Sequence, residues 1–140
     1  MSQNPDSLTV LVYGDDPAVR EQVLLALGTR PAPDLPEVQY VEAASQEEVL
    51  QEAATGRVDL CVLDGEAWPV GGMGLCRQIK NELQDCPPCV VITARRDDRW
   101  LAGWSQADAV LTHPLDAFEV IEAVAGLLRS RAVLSRRAPA

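Results

Sequence analysis

The chain has 140 residues, a length that suits one domain with a hydrophobic core of its own. Its formal net charge is -9 at pH 7, which disfavours general binding to nucleic acid or to an anionic membrane surface. No apolar run approaches the ~20 residues of a membrane-spanning helix, and the polar residues 1–7 lack a signal-peptide pattern. We therefore expect a cytoplasmic protein with a flexible N-terminus at 1–7 and with its four cysteines present as reduced thiols.

Apolar runs alternate with helical patterns along the chain, which predicts a parallel sheet with helices on both of its faces. Asp16 and Pro17 are typical of a helix start, and Ser45 with Glu48 matches a capping box at the next helix. Right-handed crossovers between parallel strands then favour a doubly wound arrangement. The predicted strands are 8–13, 38–41, 60–63, 89–93 and 109–112, and the predicted helices are 17–27, 45–55, 73–83, 97–104 and 116–128.

Three acidic residues stand where two of these strands end. Asp15 and Asp16 follow the first strand, and Asp64 closes the third. The carboxyl ends of parallel strands meet at one edge of the sheet, where open α/β sheets bind their ligands. Such a cluster suits a hard cation with oxygen ligands, or a carboxylate that accepts a phosphoryl group. Acidic residues also cap helices, so a purely structural role stays open.

Two further motifs invite a functional interpretation. Cys86 and Cys89 have the CxxC spacing of redox and zinc sites, but they precede a strand rather than open a helix. Zinc would also need two more ligands. The glycine-rich segment 71–74 lies before a helix but lacks the Lys-Ser/Thr of a phosphate-binding loop. We interpret the cysteines as reduced thiols and segment 71–74 as a flexible start of the helix.

Five segments match one known family in order and in spacing. They are 10–20, 58–64, 74–80, 90–94 and 112–114. On these segments the chain resembles the receiver domain of response regulators over about 8–128. The resemblance implies a flavodoxin-like, doubly wound, five-stranded parallel sheet in the order 2-1-3-4-5. It also implies one receiver-like domain at 8–130, which leaves 131–140 as a basic C-terminal tail.

The resemblance assigns roles to individual residues of the acidic cluster. Asp64 falls where receivers have the aspartate that accepts the phosphoryl group. Asp15 falls on the second member of the acidic pair that holds magnesium together with the acceptor. Thr93 falls on the hydroxyl residue that donates to the phosphoryl oxygen, although a threonine in a strand also needs no such role.

The chain departs from the receiver pattern at the same site. Gly14 stands where the first acid of the pair is usual, so one metal ligand is missing. Asp16 either caps the first helix or reaches the metal through water, and Glu66 is a candidate replacement ligand. His113 stands where receivers have a lysine before proline, either as a weaker cation or as a polar turn residue. The bond from His113 to Pro114 is a candidate cis peptide.

Other departures concern the surface. Val110 stands where receivers often have an aromatic residue that swings between buried and exposed positions. The segment after Asp64 is longer than the family pattern, and Trp68 in it either covers the site or forms an exposed binding knuckle. Trp100 and Trp104 share one helix face and either pack inward or form a protein-binding patch.

These observations predict a stand-alone receiver-like signalling protein in a phosphorelay, rather than an enzyme. With no output domain expected, its output would be protein contact through the face formed by the fourth helix, fifth strand and fifth helix. A histidine kinase or a small phosphodonor would supply the phosphoryl group to Asp64, with Mg²⁺ bound weakly or not at all. The alternative is a pseudo-receiver that binds a partner without phosphorylation. A homodimer also stays open.

Overall fold

A computed structural model describes residues 7–137, except for the side chains of 99, 101, 102 and 132–137. The predicted flexible N-terminus therefore lies outside the described residues, apart from Ser7. The strands are β1 (Leu8–Tyr13), β2 (Val38–Ala43), β3 (Leu60–Asp64), β4 (Cys89–Thr93) and β5 (Ala109–Thr112). The helices are α1 (Pro17–Leu27), α2 (Gln46–Ala54), α3 (Gly72–Glu82), α4 (Arg99–Trp104) and α5 (Ala117–Arg137).

The five strands form one parallel sheet in the order β2-β1-β3-β4-β5, which confirms the predicted topology. The strand order reverses at β1 and β3, which are direct neighbours. In open α/β sheets this switch point creates a crevice at the carboxyl ends of the strands. The predicted acidic residues follow β1 and end β3, so the fold places them at that crevice.

Two hydrophobic layers cover the two faces of the sheet. Alternate residues of β1 point to opposite faces, as the pleat requires. Val10 and Val12 belong to the layer with Val124 of α5, while Leu11 belongs to the layer with Leu75 of α3. All five of these residues are buried. The helices thus cover both faces, as the sequence predicts.

Several boundaries differ from the sequence prediction. β2 extends to Ala43 because it pairs with β1 along the whole length of that strand. The predicted helix 97–104 begins as a 3-10 turn, Arg96–Asp98, and becomes helical only in α4. α5 continues to Arg137, because its last turns contain neither glycine nor proline, so most of the predicted tail is helical. Among the described residues, no helix is long and apolar enough to cross a membrane.

The local signals at the helix starts have the predicted geometry. The Asp16 side chain accepts a hydrogen bond from the amide of Ala18 at 2.9 Å and caps α1. Ser45 caps α2, since the Glu48 amide donates to Ser45 Oγ at 3.3 Å, and the Ser45 hydroxyl in turn donates to Glu48 Oε1 at 3.1 Å. The peptide bond from His113 to Pro114 is cis, as predicted. These features follow β1, β2 and β5, at the carboxyl edge of the sheet where the acidic cluster lies.

Asp108, which precedes β5, ties α3 to the start of β4. Its Oδ2 accepts hydrogen bonds from the Lys80 ammonium at 2.6 Å and from the Cys89 amide at 2.7 Å. We expect Asp108→Ala to lower the free energy of unfolding by about 2 kcal/mol in urea titrations, because both donors lose a charged acceptor. Asp98, in an exposed 3.4 Å pair with Arg95, is the control, and Asp98→Ala should leave stability nearly unchanged. Equal losses in the two variants would contradict this role.

Candidate functional site

Asp64 ends β3 at the carboxyl edge of the sheet and is only 4% exposed. Its Oδ1 accepts a hydrogen bond from the amide of Glu66 at 3.0 Å. Nε2 of His113 lies 3.8 Å from the same oxygen. His113 follows β5, and its own amide donates to the Thr93 carbonyl at 2.9 Å, which fixes the turn. The structure therefore brings Asp64 and His113 together, although they lie 49 positions apart in the chain.

Asp15 and Asp16 have different partners. Asp15 Oδ1 accepts a hydrogen bond from the amide of Trp68 at 3.1 Å, across 53 positions of sequence. Asp16 accepts from the first turn of α1, so it serves as the helix cap that the sequence predicts. Of the two, Asp15 is the carboxylate that contacts the segment following Asp64.

Gly14 lies directly beside Asp64. A Cβ placed on Gly14 would lie 3.5 Å from Asp64 Cβ and 3.6 Å from Asp64 Oδ2, which are ordinary contact distances. The carboxylate that the receiver pattern would supply here is thus absent from a position adjoining Asp64. The Arg20 side chain lies against the same position, with its Cγ 3.7 Å from that Cβ.

Arg20 is a residue of this region that the sequence analysis did not single out. Its guanidinium donates to the Gly14 carbonyl at 2.5 Å and to Glu42 Oε1 at 3.1 Å. Side chains of a helix lean toward its N-terminus, and Arg20 lies four residues after the Asp16 cap. That spacing is the signal that could have placed the Arg20 side chain at the strand ends.

Thr93 ends β4 and is fully buried. Its hydroxyl oxygen lies 3.2 Å from the Arg95 carbonyl oxygen, 3.3 Å from that of Leu111 and 3.2 Å from the Thr112 hydroxyl. A hydroxyl donates only one hydrogen bond, so these acceptors compete for it. In this arrangement the Thr93 hydroxyl is engaged with β5 and the following turn.

Residues 65–71, which we call the Trp68 loop, run along the edge of the site. The hydroxyl of Tyr13, at the end of β1, donates to the Val70 carbonyl at 2.5 Å. Burial raises the pKa of Tyr13, and the negative charges of Asp15 and Asp64 raise it further. The Tyr13 side chain therefore connects the loop to the acidic edge. Trp68 itself is 76% exposed and does not bury the site.

Magnesium takes oxygen ligands and is often held in proteins by one or two carboxylates together with phosphate oxygens and water. Asp15 and Asp64 are chemically suited to such a partial set. Glu66 contacts Asp64 through its backbone amide, and its residue is exposed. Among the described residues, no group of three or more histidine, cysteine, aspartate or glutamate side chains is arranged to hold a metal. Asp15 and Asp64 are thus the candidate carboxylates for such a set, and Gly14 supplies no third one.

The aromatic residues of α4 point outward. Trp100 is 73% exposed and Trp104 is 52% exposed, so inward packing does not occur. The Arg77 guanidinium lies 4.6 Å from the centre of a Trp104 ring and donates to the Trp104 carbonyl at 2.7 Å. Phe118, on α5, is also exposed. The faces of α4 and α5 thus present aromatic side chains to solvent.

The CxxC cysteines differ in exposure. Cys89 is buried and Cys86 is half-buried. A hydrogen bond with Cys61 and burial together raise the pKa of Cys89, while a hydrogen bond with Cys89 and burial raise that of Cys76. A raised pKa keeps a thiol protonated and lowers its reactivity as a nucleophile. These buried thiols therefore pack as small core residues.

Two curated sequence relatives are named as response regulatory proteins. No protein-family model matches the chain. Two curated relatives, from the CDC 1551 and H37Rv strains of Mycobacterium tuberculosis, are each 47% identical to it over 132 residues. The match covers 94% of this chain and 99% of each relative, and both are named uncharacterized response regulatory proteins.

Solved structures share the fold. The response regulator TrrA from Thermotoga maritima, in complex with Mg²⁺-BeF, is 26% identical with a TM-score of 0.69. That match covers 86% of this chain and 98% of the other. The receiver domain of the Francisella response regulator 1452 is 20% identical with a TM-score of 0.73, over 88% of this chain and 98% of the other.

Proposed function

This chain belongs to the response-regulator family, and from that premise we propose that it acts as a receiver in phosphorelay signalling with Asp64 as its phosphoacceptor. The family is a signalling family of two-component systems. The observation that carries the assignment is the buried Asp64 carboxylate at the switch point of the sheet, with His113 at 3.8 Å. We further propose a cytoplasmic signalling module rather than an enzyme.

In the proposed step, a carboxylate oxygen of Asp64 attacks the phosphorus of a phosphodonor. The bond between phosphorus and the leaving group breaks, and the leaving group departs with the electron pair. The product is an acyl phosphate on Asp64. The Glu66 amide holds Oδ1 at 3.0 Å, while Oδ2 is the oxygen that lies on the Gly14 side, where no side chain of residue 14 stands. We therefore assign the attack to Oδ2.

Residues around Asp64 would assist this step by charge and by hydrogen bonding. His113, when protonated, would place a positive charge beside the new phosphate. Magnesium held by Asp15 and Asp64 would offset the negative charge between carboxylate and phosphate. We expect that binding to be weak, because Gly14 supplies no carboxylate. Thr93 would donate to a phosphoryl oxygen only after its hydroxyl turns away from its present acceptors.

The partners follow from the same assignment. A histidine kinase or a small phosphodonor such as acetyl phosphate would supply the phosphoryl group. Output would be a protein contact on the face formed by α4, β5 and α5, where Trp100, Trp104 and Phe118 are exposed. Exposed aromatic residues are common at the centres of protein interfaces.

A second candidate function is a pseudo-receiver that binds its partner without phosphorylation. The supporting observation is that the acidic residues already accept backbone hydrogen bonds: Asp15 from Trp68, Asp16 from Ala18 and Asp64 from Glu66. Val110, in place of a mobile aromatic residue, would also limit switching through β5.

Incubation with acetyl phosphate and millimolar MgCl₂, followed by intact-mass spectrometry, separates the two functions. The receiver function predicts a mass increase of one phosphoryl group in the native protein. Asp64→Asn is the matched control, because asparagine keeps the size and loses the nucleophilic carboxylate. Native protein that stays at its unmodified mass, while a conventional receiver in the same buffer is phosphorylated, would favour the pseudo-receiver.

A further inference from the structure

The two ends of the Trp68 loop are fixed by close backbone packing. A Cβ on Gly65 would lie 2.5 Å from the Ile92 carbonyl oxygen, so the two backbones touch. A Cβ on Gly71 would lie 2.9 Å from the Gly65 carbonyl oxygen. Ala67 is buried and donates its amide hydrogen to the backbone of Asp64 at 3.2 Å. These contacts hold the loop at Gly65, Ala67 and Gly71, and its tip, residues 68–70, makes none of them.

The tip is held by two hydrogen bonds from the end of β1. The Trp68 amide donates to Asp15 Oδ1 at 3.1 Å, and the Tyr13 hydroxyl donates to the Val70 carbonyl at 2.5 Å. The Trp68 side chain is mostly exposed and adds little packing. The hydrogen bond to Asp15 therefore has two effects, since it holds the tip and occupies an oxygen of the metal-binding carboxylate.

We propose that the Trp68 amide is a built-in competitor of divalent cations for Asp15. A cation at Asp15 displaces this amide and frees the tip, and Tyr13 is the positioning residue that sets how readily the displacement occurs. Both the amide hydrogen and the cation are attracted by the same negative charge, so each weakens the binding of the other. By linkage, a partner that holds the tip away from Asp15 raises the cation affinity, and the cation raises the affinity for that partner by the same factor.

This competition gives the pocket a direct route to the surface. Val110 is half-buried on β5 and cannot swing as an aromatic residue does. The Trp68 loop instead connects Asp15 to an exposed indole through one hydrogen bond. The inference rests on the metal-binding part of the proposed function and not on phosphoryl transfer.

Titration of ¹⁵N-tryptophan-labelled protein with MgCl₂ tests the proposal by NMR. Trp68, Trp100 and Trp104 are the three tryptophans, so three backbone amide signals are expected, and Trp68→Phe assigns the first. At saturating Mg²⁺ the solvent-exchange rate of the Trp68 amide should rise roughly tenfold, because its hydrogen bond to Asp15 is lost. The amides of Trp100 and Trp104, on α4, should keep their exchange rates.

Two variants separate competition from simple binding. Tyr13→Phe keeps the buried ring and removes the hydroxyl that holds Val70, so the half-saturating Mg²⁺ concentration should fall roughly threefold to tenfold. Asp15→Asn keeps an oxygen acceptor for the Trp68 amide and removes the charge, so the Mg²⁺ response should disappear.

Three outcomes would overturn the proposal. They are Mg²⁺ binding with unchanged exchange of the Trp68 amide, unchanged Mg²⁺ affinity in Tyr13→Phe, and no response of the native protein or of Tyr13→Phe at Mg²⁺ concentrations on the order of tens of millimolar. The phosphoryl mass shift on Asp64 is measured separately. A protein that gains the phosphoryl group but leaves Trp68 fixed would disprove the competition and leave the proposed function standing.

Discussion

Gly14→Asp should bind Mg²⁺ about tenfold to a hundredfold more tightly than the native protein, because cation affinity rises with the number of charged ligands. The added Cβ would meet Asp64 and Arg20 only at 3.5 to 3.7 Å, so the Cβ is accommodated without a clash. The new side chain would leave the backbone beside Asp64 Oδ2. The substitution would complete the acidic pair that the receiver pattern contains.

The same variant should be less stable than the native protein without Mg²⁺, because an added negative charge would adjoin the buried Asp64. Saturating Mg²⁺ should restore the lost stability. Isothermal titration calorimetry measures the affinity, and thermal unfolding with and without MgCl₂ measures the stability. Gly14→Asn is the control, since it adds the same volume without the charge. If the folded aspartate variant bound Mg²⁺ no more tightly than the asparagine variant, Gly14 would not be the missing ligand position.

Gly72→Ala should lower the free energy of unfolding by about 3 kcal/mol, at the upper end of typical overpacking costs. A Cβ on Gly72 would lie 2.7 Å from both the carbonyl carbon and the carbonyl oxygen of Asp64, and 2.9 Å from the carbonyl carbon of Leu63. These neighbours are backbone atoms of a buried central strand, so they cannot move aside as a flexible side chain does. The close approach of α3 to β3 therefore requires glycine at this position.

Gly74→Ala is the matched control, because a Cβ there meets nothing within 4 Å and the residue lies within α3. Alanine is favoured over glycine inside a helix by roughly 0.5–1 kcal/mol, so this variant should be slightly more stable than the native protein. Urea unfolding of both variants gives the comparison. Equal stability of Gly72→Ala and the native protein would mean that α3 does not depend on this contact.

The meeting of the strand-end acids follows from patterns within short stretches of sequence, whereas the strand order follows from the resemblance to receiver domains. Apolar runs that alternate with capped helices predict a parallel sheet, and a parallel sheet brings Asp15 and Asp64 to one edge. The cap role of Asp16 follows from local sequence in the same way, whereas the place of His113 near Asp64 follows from the resemblance to receiver domains. The meeting of the acids and the cap role each depend on where a strand or helix ends, which local sequence determines well.

The contacts of the Trp68 loop could not be predicted, because they depend on tertiary packing. The hydrogen bond from Trp68 to Asp15 joins positions 53 apart, and the Tyr13 contact with Val70 joins positions 57 apart. No periodicity or capping pattern encodes either distance. The exposure of Trp100 and Trp104 likewise depends on the orientation of α4, which a two-turn amphipathic pattern does not determine.

The most direct test of Asp64 as phosphoacceptor is chemical mapping of the modified residue. Protein incubated with acetyl phosphate is treated with borohydride, which reduces an aspartyl phosphate to homoserine, and its peptides are sequenced by mass spectrometry. The proposed function predicts homoserine at position 64 and at no other aspartate. Homoserine at Asp15 or Asp16, or its absence from every peptide while a conventional receiver treated in parallel is converted, would contradict the assignment.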